Sequence, residues 1–183
     1  MKIYTRKGDK GHTSLAGGHK LDKDDIIIEV LGTLDELNSN IGLIINLYGK
    51  DDNLKVRLNE IQNVIFDIGT MVASIKNSKT KYEFKDNIVD ELESSIDEMD
   101  NTLPKLTNFI LPGGNMTSCY CHLARSVCRR CERLIVKLNK VYEMDPIILQ
   151  YINRLSDYFF VLARYCNDGT ETIYKCTLNK TNV

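Results

Sequence analysis

Residues 122–138 decide the fold, and they read His-Leu-Ala-Arg-Ser-Val-Cys-Arg-Arg-Cys-Glu-Arg-Leu-Ile-Val-Lys-Leu. At roughly 100° per residue, the apolar and charged side chains separate onto two faces of one helix. We expect the apolar face to comprise Leu123, Val127, Cys131, Leu134, Ile135 and Leu138. The charged face gathers His122, Arg125, Arg129, Glu132 and Arg133. A helix of this kind buries its apolar face against other helices, so the segment predicts one member of a bundle.

Four other segments show the same helical spacing of apolar residues. Thr33 and Glu36 form a capping-box pattern, which predicts that the first helix begins at Thr33 and ends near Gly49. The other helices are predicted over residues 54–72, 88–99, 116–140 and 146–167. No alternating run is long enough to build a central sheet. We therefore predict an all-α fold, a five-helix bundle with ferritin-like up-and-down packing and a glycine-rich amino-terminal arm.

The composition is typical of one globular domain. Hydrophobic residues make up 43% of the chain and charged residues 27%, which excludes low-complexity disorder. We divide the 183 residues into an arm (1–30), a helix bundle (31–169) and a tail (170–183) that has no clear period and is expected to be loose. The six cysteines come late and lie mostly inside helical patterns, unlike a secreted disulfide framework. A reduced, cytoplasmic setting is therefore expected.

The overall charge argues against nucleic acid and membrane partners. The 24 Lys and Arg residues against 25 Asp and Glu residues give a net charge of −1, so no whole-molecule field attracts either partner. The longest uncharged runs, such as residues 41–49, are far shorter than the ~20 residues that span a bilayer. The first 14 residues lack the apolar run of a presequence, so none is expected.

Four arginines within nine residues, with one acid among them, exceed what pairing along the helix neutralises. Guanidinium groups one turn apart suit a polyphosphate chain, although a solvated face with ion pairs is the alternative. The fifth predicted helix adds Asn153, Asp157 and Arg164 on one face. A second polar face in a bundle indicates a site or an interface.

The arm supplies a second candidate anion site. Residues 5–14 read Thr-Arg-Lys-Gly-Asp-Lys-Gly-His-Thr-Ser, in which glycines let backbone N–H groups converge on an anion. The spacing is not that of a Walker A loop, and the alternative is a flexible terminus. Paired cysteines near His122 resemble metal ligands, but we expect Cys128 and Cys131 to lie on the apolar face as buried thiols. No motif of hydrolytic catalysis is present.

Four ordered blocks resemble the ATP:cob(I)alamin adenosyltransferases of the propanediol-utilisation (PduO) type. They are residues 4–13, Gly32-Thr-Leu-Asp-Glu-Leu-Asn38, Phe109-Ile-Leu-Pro-Gly-Gly114 leading into the segment 122–133, and Tyr151-Ile-Asn-Arg-Leu-Ser-Asp157. Together they span nearly the whole chain. Lys20 stands where this family usually has Arg, which keeps the charge and loses the bidentate fork.

The resemblance implies a homotrimer that transfers the adenosyl group of ATP to the cobalt of cob(I)alamin at its subunit interfaces. It implies that Asp35 and Arg125 pair across the subunit boundary and act in catalysis with Arg129, and that Phe109 faces the corrin. It implies Mg²⁺ on the ATP phosphates, a reductase of the flavin type and a recipient enzyme that uses adenosylcobalamin. The implied ATP-binding residues are Thr5, Arg6, Lys7, Gly8, Thr13, Ser14, Lys23, Arg129, Arg130, Glu132, Arg133 and Asn153.

This chemistry agrees with the residues present and with those missing. Cob(I)alamin is already a strong nucleophile at cobalt, so no activated Ser, His or Cys is needed. The protein must position two substrates and stabilise the departing tripolyphosphate. Two alternatives remain open at this point: a nucleotide-binding regulator without turnover, and an RNA-binding helix bundle with steeply salt-dependent binding.

Overall fold

The structure, a computed structural model, describes residues 4, 6–15, 17–48, 51–77, 82–84 and 87–178. Within these residues lie five helices, and the predicted all-α five-helix bundle is confirmed. The helices are α1 (Ile26–Tyr48), α2 (Asp52–Ala73), α3 (Ile88–Asp100), α4 (Met116–Asn139) and α5 (Pro146–Cys166). The short strands are β1 (His12–Ser14), β2 (Lys20–Asp22), β3 (Ile110–Leu111) and β4 (Thr172–Ile173).

The helices pack as a ring around one apolar core. Helix α4 lies between α1 and α5, α2 packs on α1, and α3 packs on α5. Arg57 of α2 and Glu91 of α3 close the ring with an ion pair of 3.6 Å. The apolar positions predicted for α2 are all buried: Leu54, Leu58, Ile61, Ile65, Ile68 and Val72. Within the described residues, no helix is both long and apolar enough to cross a membrane.

Helix α1 begins earlier than predicted. It starts at Ile26, and Thr33 is buried inside it with its Oγ1 donating to the Glu29 carbonyl at 2.8 Å. The residue that accepts at the helix start is Asp25, whose Oδ1 receives the Ile27 N–H at 2.8 Å. The capping-box prediction at Thr33 is therefore wrong, and the arm ends at Asp25. Burial of Ile27 and of the apolar residues that follow stabilises the extra helical turns.

Two small ribbons attach the arm and the tail to the bundle. Strands β1 and β2 pair antiparallel, and the neighbouring Leu15 and Leu21 are buried in the core. Strands β3 and β4 pair with Ile110 opposite Ile173. The tail was expected to be loose, but its segment up to residue 178 includes β4. The rest of the tail, residues 179–183, lies outside the described residues.

Candidate functional site

Helix α4 carries a row of arginines that have no acidic partner among the residues the structure describes. Its start is fixed by Asn115, whose Oδ1 accepts the Ser118 N–H at 2.9 Å. Arg129 and Arg133 are exposed, and the Arg133 Nη1 donates to the Arg129 carbonyl oxygen at 3.0 Å. The half-buried Arg125 lies with its guanidinium carbon 5.6 Å from the Phe160 ring centroid. None of these three, here called the arginine row, forms an ion pair with a described residue.

Two acids that contact or belong to α4 have partners outside the arginine row. Glu132 accepts a hydrogen bond from the Asn153 Nδ2 at 3.0 Å, which joins α4 to α5. Glu36 of α1 pairs with Arg130, and both side chains are about half exposed. The structure thus brings together Glu132 and Asn153, two residues assigned to the nucleotide. The arginine row keeps its positive charge.

The spacing predicted that His122 lies on the charged face, but in the structure it is buried. It is only 7% exposed, and its ring packs edge-on against Phe160 with centroids 6.4 Å apart. Leu123, predicted for the core, is 47% exposed instead. Because α4 is packed by both α1 and α5, its buried sector is wider than one apolar stripe and includes His122. Burial, with Arg125 as the second cause, lowers the pKa of His122, so the imidazole is neutral at pH 7.

Arg164 also departs from its predicted place. Its side chain does not join Asn153 on a polar face. It is 4% exposed, and each of its guanidinium nitrogens makes a hydrogen bond. Its Nε donates to Glu171 at 2.5 Å, its Nη1 to Asp100 at 3.2 Å and its Nη2 to the Pro104 carbonyl at 2.7 Å. Arg164 therefore joins α5 to the end of α3 and to the tail, and it is not a free cation.

The arm forms a hairpin whose turn gathers backbone and cationic groups. The Gly11 N–H donates to the Gly8 carbonyl at 3.2 Å, and the Lys23 N–H donates to the Gly11 carbonyl at 2.8 Å. The Lys23 Nζ approaches Gly8 so closely that an added Cβ would lie 3.1 Å from it. Gly11 has φ +82°, a conformation that favours glycine. These contacts keep the arm folded back near Gly8, which is consistent with an anion loop.

The remaining arm residues are placed as follows. Thr13 lies opposite Leu21 in the hairpin, and Ser14 is exposed at the end of β1. Arg6 is exposed, with its guanidinium carbon 5.6 Å from the Tyr4 ring centroid. Lys7 is exposed as well. Thr5 lies outside the described residues.

Phe109 is presented to solvent on a fixed backbone. Its side chain is 85% exposed, whereas its carbonyl accepts the Tyr174 N–H at 2.7 Å beside the β3–β4 ribbon. The turn that follows is equally fixed, because Gly114 has φ +108° and an added Cβ would lie 2.6 Å from Asn167. A role for Phe109 in the core is excluded. An exposed aromatic ring on a rigid loop is typical of a ligand contact.

The arginine row, the hairpin turn of the arm and the exposed Phe109 all lie within the four sequence blocks. The family model for cobalamin adenosyltransferase matches residues 3–166. The chain belongs to the cobalamin adenosyltransferase family. The sequence-based prediction of a corrinoid adenosyltransferase is confirmed.

Similar proteins cover nearly all of this adenosyltransferase. The corrinoid adenosyltransferase of Bacillus subtilis is 44% identical over 170 residues, covering 91% of this chain and 87% of the relative. Human corrinoid adenosyltransferase MMAB is 43% identical over 170 residues, covering 90% of this chain and 68% of the human protein. A solved phenylalanine-to-alanine variant of a PduO-type ATP:corrinoid adenosyltransferase from Lactobacillus reuteri, complexed with cobalamin and ATP, has a TM-score of 0.90 at 37% identity. The match covers 96% of this chain and 100% of the Lactobacillus reuteri chain.

Within one adenosyltransferase chain, Asp35 and Arg125 lie in different surroundings. Asp35 is exposed and lines a cleft of ≈ 260 Å³ between α1 and α2, whereas Arg125 lies against α5. The cleft is otherwise mostly apolar, and its Phe66 is 72% exposed. Asp35 makes no ion pair with a described residue. The structure therefore does not join the two residues inside one chain.

Four of the six cysteines of the adenosyltransferase are buried free thiols, and Cys119 and Cys176 are exposed. As predicted, Cys128 and Cys131 are fully buried, and the Cys128 Sγ donates to the Ile152 carbonyl at 3.2 Å. Burial raises the pKa of Cys131 to about 12, so this thiol stays protonated. Among the residues that the structure describes, no three His, Cys, Asp or Glu side chains cluster as a metal site.

Proposed function

We propose that Arg129, Arg130 and Arg133 of α4 bind the triphosphate of ATP while its 5′-deoxyadenosyl group passes to the cobalt of cob(I)alamin. The observation that carries this proposal is that Arg129 and Arg133 have no acidic partner among the described residues, while the nearby Glu132 is bound to Asn153. Guanidinium groups one turn apart, with no acidic partner among the described residues, match a departing chain of phosphates in both geometry and charge.

The reaction balances without any proton transfer to the protein. The electron pair of Co(I) attacks the ribose C5′, a Co–C bond forms, the C5′–O bond breaks, and its electron pair leaves on tripolyphosphate. Charge therefore builds up on the leaving phosphates, where prealigned cations lower the barrier. Arg129, at the centre of the row, has this role. Arg130 exchanges its partner Glu36 for phosphate when ATP binds.

The arm supplies the other wall of the nucleotide site. Its carried-over ligands are Thr5, Arg6, Lys7, Gly8, Thr13, Ser14 and Lys23. Support comes from the hairpin, in which Lys23 is held against Gly8 and the backbone of Gly11 is already turned. Mg²⁺ enters as part of the ATP substrate. Glu132 and Asn153, fixed to each other across two helices, present an oriented polar pair to the nucleoside.

We propose a homotrimer in which this site lies between subunits. The cleft between α1 and α2 supports this, because a second copy of the chain would cover its apolar wall and the exposed Phe66. Asp35 on that cleft would then meet Arg125 of the neighbouring copy. Neither residue has an ion-pair partner among the described residues of its own chain, so the contact would pair both charges.

Phe109 would face the corrin on the side of the lower cobalt ligand. Support comes from its exposed ring and its fixed backbone, which hold a bulky apolar group where a ligand can approach. By occupying that space the ring keeps the lower ligand and water away from cobalt, which eases reduction to Co(I). A flavin-type reductase would supply the electron, and an enzyme that uses adenosylcobalamin would receive the product. The buried free thiols favour the reducing cytoplasm as the compartment.

A single-turnover assay tests this proposal. The protein is mixed anaerobically with ATP, Mg²⁺ and chemically reduced cobalamin, and the corrin absorption spectrum is followed together with tripolyphosphate release. We expect one light-sensitive Co–C bond formed for each tripolyphosphate released, and none when ATP is omitted. ATP binding without product would instead indicate a regulator, and binding of RNA with steep salt dependence would indicate a nucleic acid partner.

A further inference from the structure

A depression of ≈ 230 Å³ lies beside the loop that carries Phe109. It is formed where the Pro-Gly-Gly turn meets the first turns of α4, and its wall comprises Pro112, Gly113, Cys119, His122, Leu123 and Ser126. The backbone here is fixed, because the Ser118 Oγ donates to the Gly113 carbonyl at 2.8 Å. A preformed depression next to an exposed aromatic ring is a natural place for the edge of a flat ligand.

His122 is the unusual side chain of this wall. It is more than nine-tenths buried, yet neither ring nitrogen makes a hydrogen bond with a described residue. Nδ1 is fully enclosed, whereas Nε2 is not among the enclosed atoms that lack a partner. Buried polar groups in folded proteins are normally paired. Three described residues have an enclosed side-chain N or O atom without a hydrogen-bond partner. Of these three, only His122 lines this depression.

The chemistry of the ring selects its partner. Burial and the neighbouring Arg125 lower the pKa of His122, so the imidazole is neutral at pH 7 and has no charge that favours an anion over an uncharged polar group. An enclosed orphan N–H is rarer than an enclosed empty acceptor, which puts the single ring proton on Nε2. Nε2–H is a donor that suits a carbonyl oxygen. The periphery of a corrin carries carboxamide side chains with such oxygens.

We propose that His122 donates a hydrogen bond from Nε2 to a peripheral carboxamide of the corrin and thereby orients the ring against Phe109. This inference rests on the proposed function and adds a corrin-binding residue to it. Phe109 covers the centre of one corrin face, and His122 fixes the rim, so the two contacts together define where the cobalt lies. ATP, which Arg129, Arg130 and Arg133 would hold, is not involved.

Three variants separate the hydrogen bond from packing. His122→Gln places an amide N–H near the position of Nε2, His122→Asn places it near Nδ1, and His122→Phe keeps an aromatic ring without a donor. With cob(I)alamin supplied ready-made, we expect the KM for cobalamin to rise about tenfold in the Phe and Asn variants. The Gln variant should stay within about twofold of the parent, and the KM for ATP should not change in any of them.

Measurements on the parent protein do not depend on whether a variant folds. Only His12, His19 and His122 contribute imidazole signals, so ¹⁵N-labelled histidine gives an assignable spectrum. Titration with diamagnetic adenosylcobalamin should shift the Nε2 resonance of His122, and titration with ATP should not. His19, exposed in the loop between β1 and β2, is the internal control.

Other outcomes overturn the inference. A His122 resonance that ignores adenosylcobalamin, unchanged KM values in the Phe variant, or equal rises in both KM values would each show that His122 does not bind the corrin. A lower melting temperature with normal KM for cobalamin would assign it to packing alone. Failure of the parent to form a Co–C bond would overturn the proposed function, and this is read before any variant is compared.

Discussion

Arg164 and Arg129 are the same residue type in opposite circumstances. Arg164 is 4% exposed and uses all of its guanidinium nitrogens on Glu171, Asp100 and the Pro104 carbonyl. Arg129 is exposed, and its side chain has no ion-pair partner among the described residues. A guanidinium with every donor satisfied inside the fold has nothing left for a ligand. One with its donors free is available, and without an acidic partner among the described residues its charge attracts anions.

The comparison separates structure from function within one bundle. The polar contacts around Arg164 join α5, the end of α3 and the tail, so they stabilise the fold at that end. The arginine row on α4 leaves positive charges uncompensated, which stabilises nothing until an anion binds. We therefore expect changes at Arg164 to affect unfolding and changes at Arg129 to affect the reaction.

The largest effect on stability is expected for Arg164→Met. The change leaves the mostly buried Glu171 carboxylate without its cation, which should lower the free energy of unfolding by about 3–5 kcal/mol. Urea unfolding measures it. The matched control is Arg154→Met on the same helix, where the ion pairs to Glu93 and Asp157 are partly exposed and should contribute at most about 1 kcal/mol. Equal losses in the two variants would contradict a structural role specific to Arg164.

Arg129→Ala should do the reverse. We expect the rate of Co–C bond formation to fall about a hundredfold, or roughly 3 kcal/mol in the transition state, because a cation on the leaving group is lost. The melting temperature should be that of the parent. Arg57→Ala, on α2 away from the arginine row, is the control and should keep its rate. Near-normal turnover by a folded Arg129→Ala protein would remove Arg129 from the mechanism.

Much of the bundle was predictable because helical periodicity is local. The apolar positions of α2 repeat every three or four residues, and each of them is buried as predicted. The start of α1 was not predictable in this way, since Asp25 and Thr33 both offer a cap. Burial of Ile27 and Val30 decides between them, and that depends on tertiary packing.

The site divides along the same line. The row of Arg125, Arg129 and Arg133 follows from spacing on one helix, which the sequence contains. The places of His122 and Arg164 depend on which helices pack beside α4 and α5, and no periodicity states that. The contact between Glu132 and Asn153 joins two helices, so spacing along one helix could not predict it. The family resemblance assigned both residues to the nucleotide site without stating a contact between them.

The third prediction extends the comparison to a charge pair between subunits. Like Arg129, Asp35 and Arg125 each lack an ion-pair partner among the described residues of the chain. A double-mutant cycle with Asp35→Asn and Arg125→Ala should give a coupling energy of about 1–3 kcal/mol in turnover. Sedimentation should show parallel losses of trimer mass. Strictly additive effects, with each single variant nearly as active as the parent, would show two solvated charges on separate surfaces.

The smallest effect is expected for Phe109→Ala, where the comparison is between an apolar residue outside the core and those within it. Because the ring is 85% exposed, its removal should change the free energy of unfolding by less than about 0.5 kcal/mol. The buried Phe159→Ala variant should instead lose about 3–5 kcal/mol of unfolding free energy.

In the Phe109→Ala variant, turnover that starts from cob(II)alamin should fall about tenfold, since the lower ligand or water can return to cobalt. Ready-made cob(I)alamin should restore most of that rate, because the reduction step is bypassed. A loss of ATP affinity with an unchanged cobalamin step would show that Phe109 acts on the nucleotide instead.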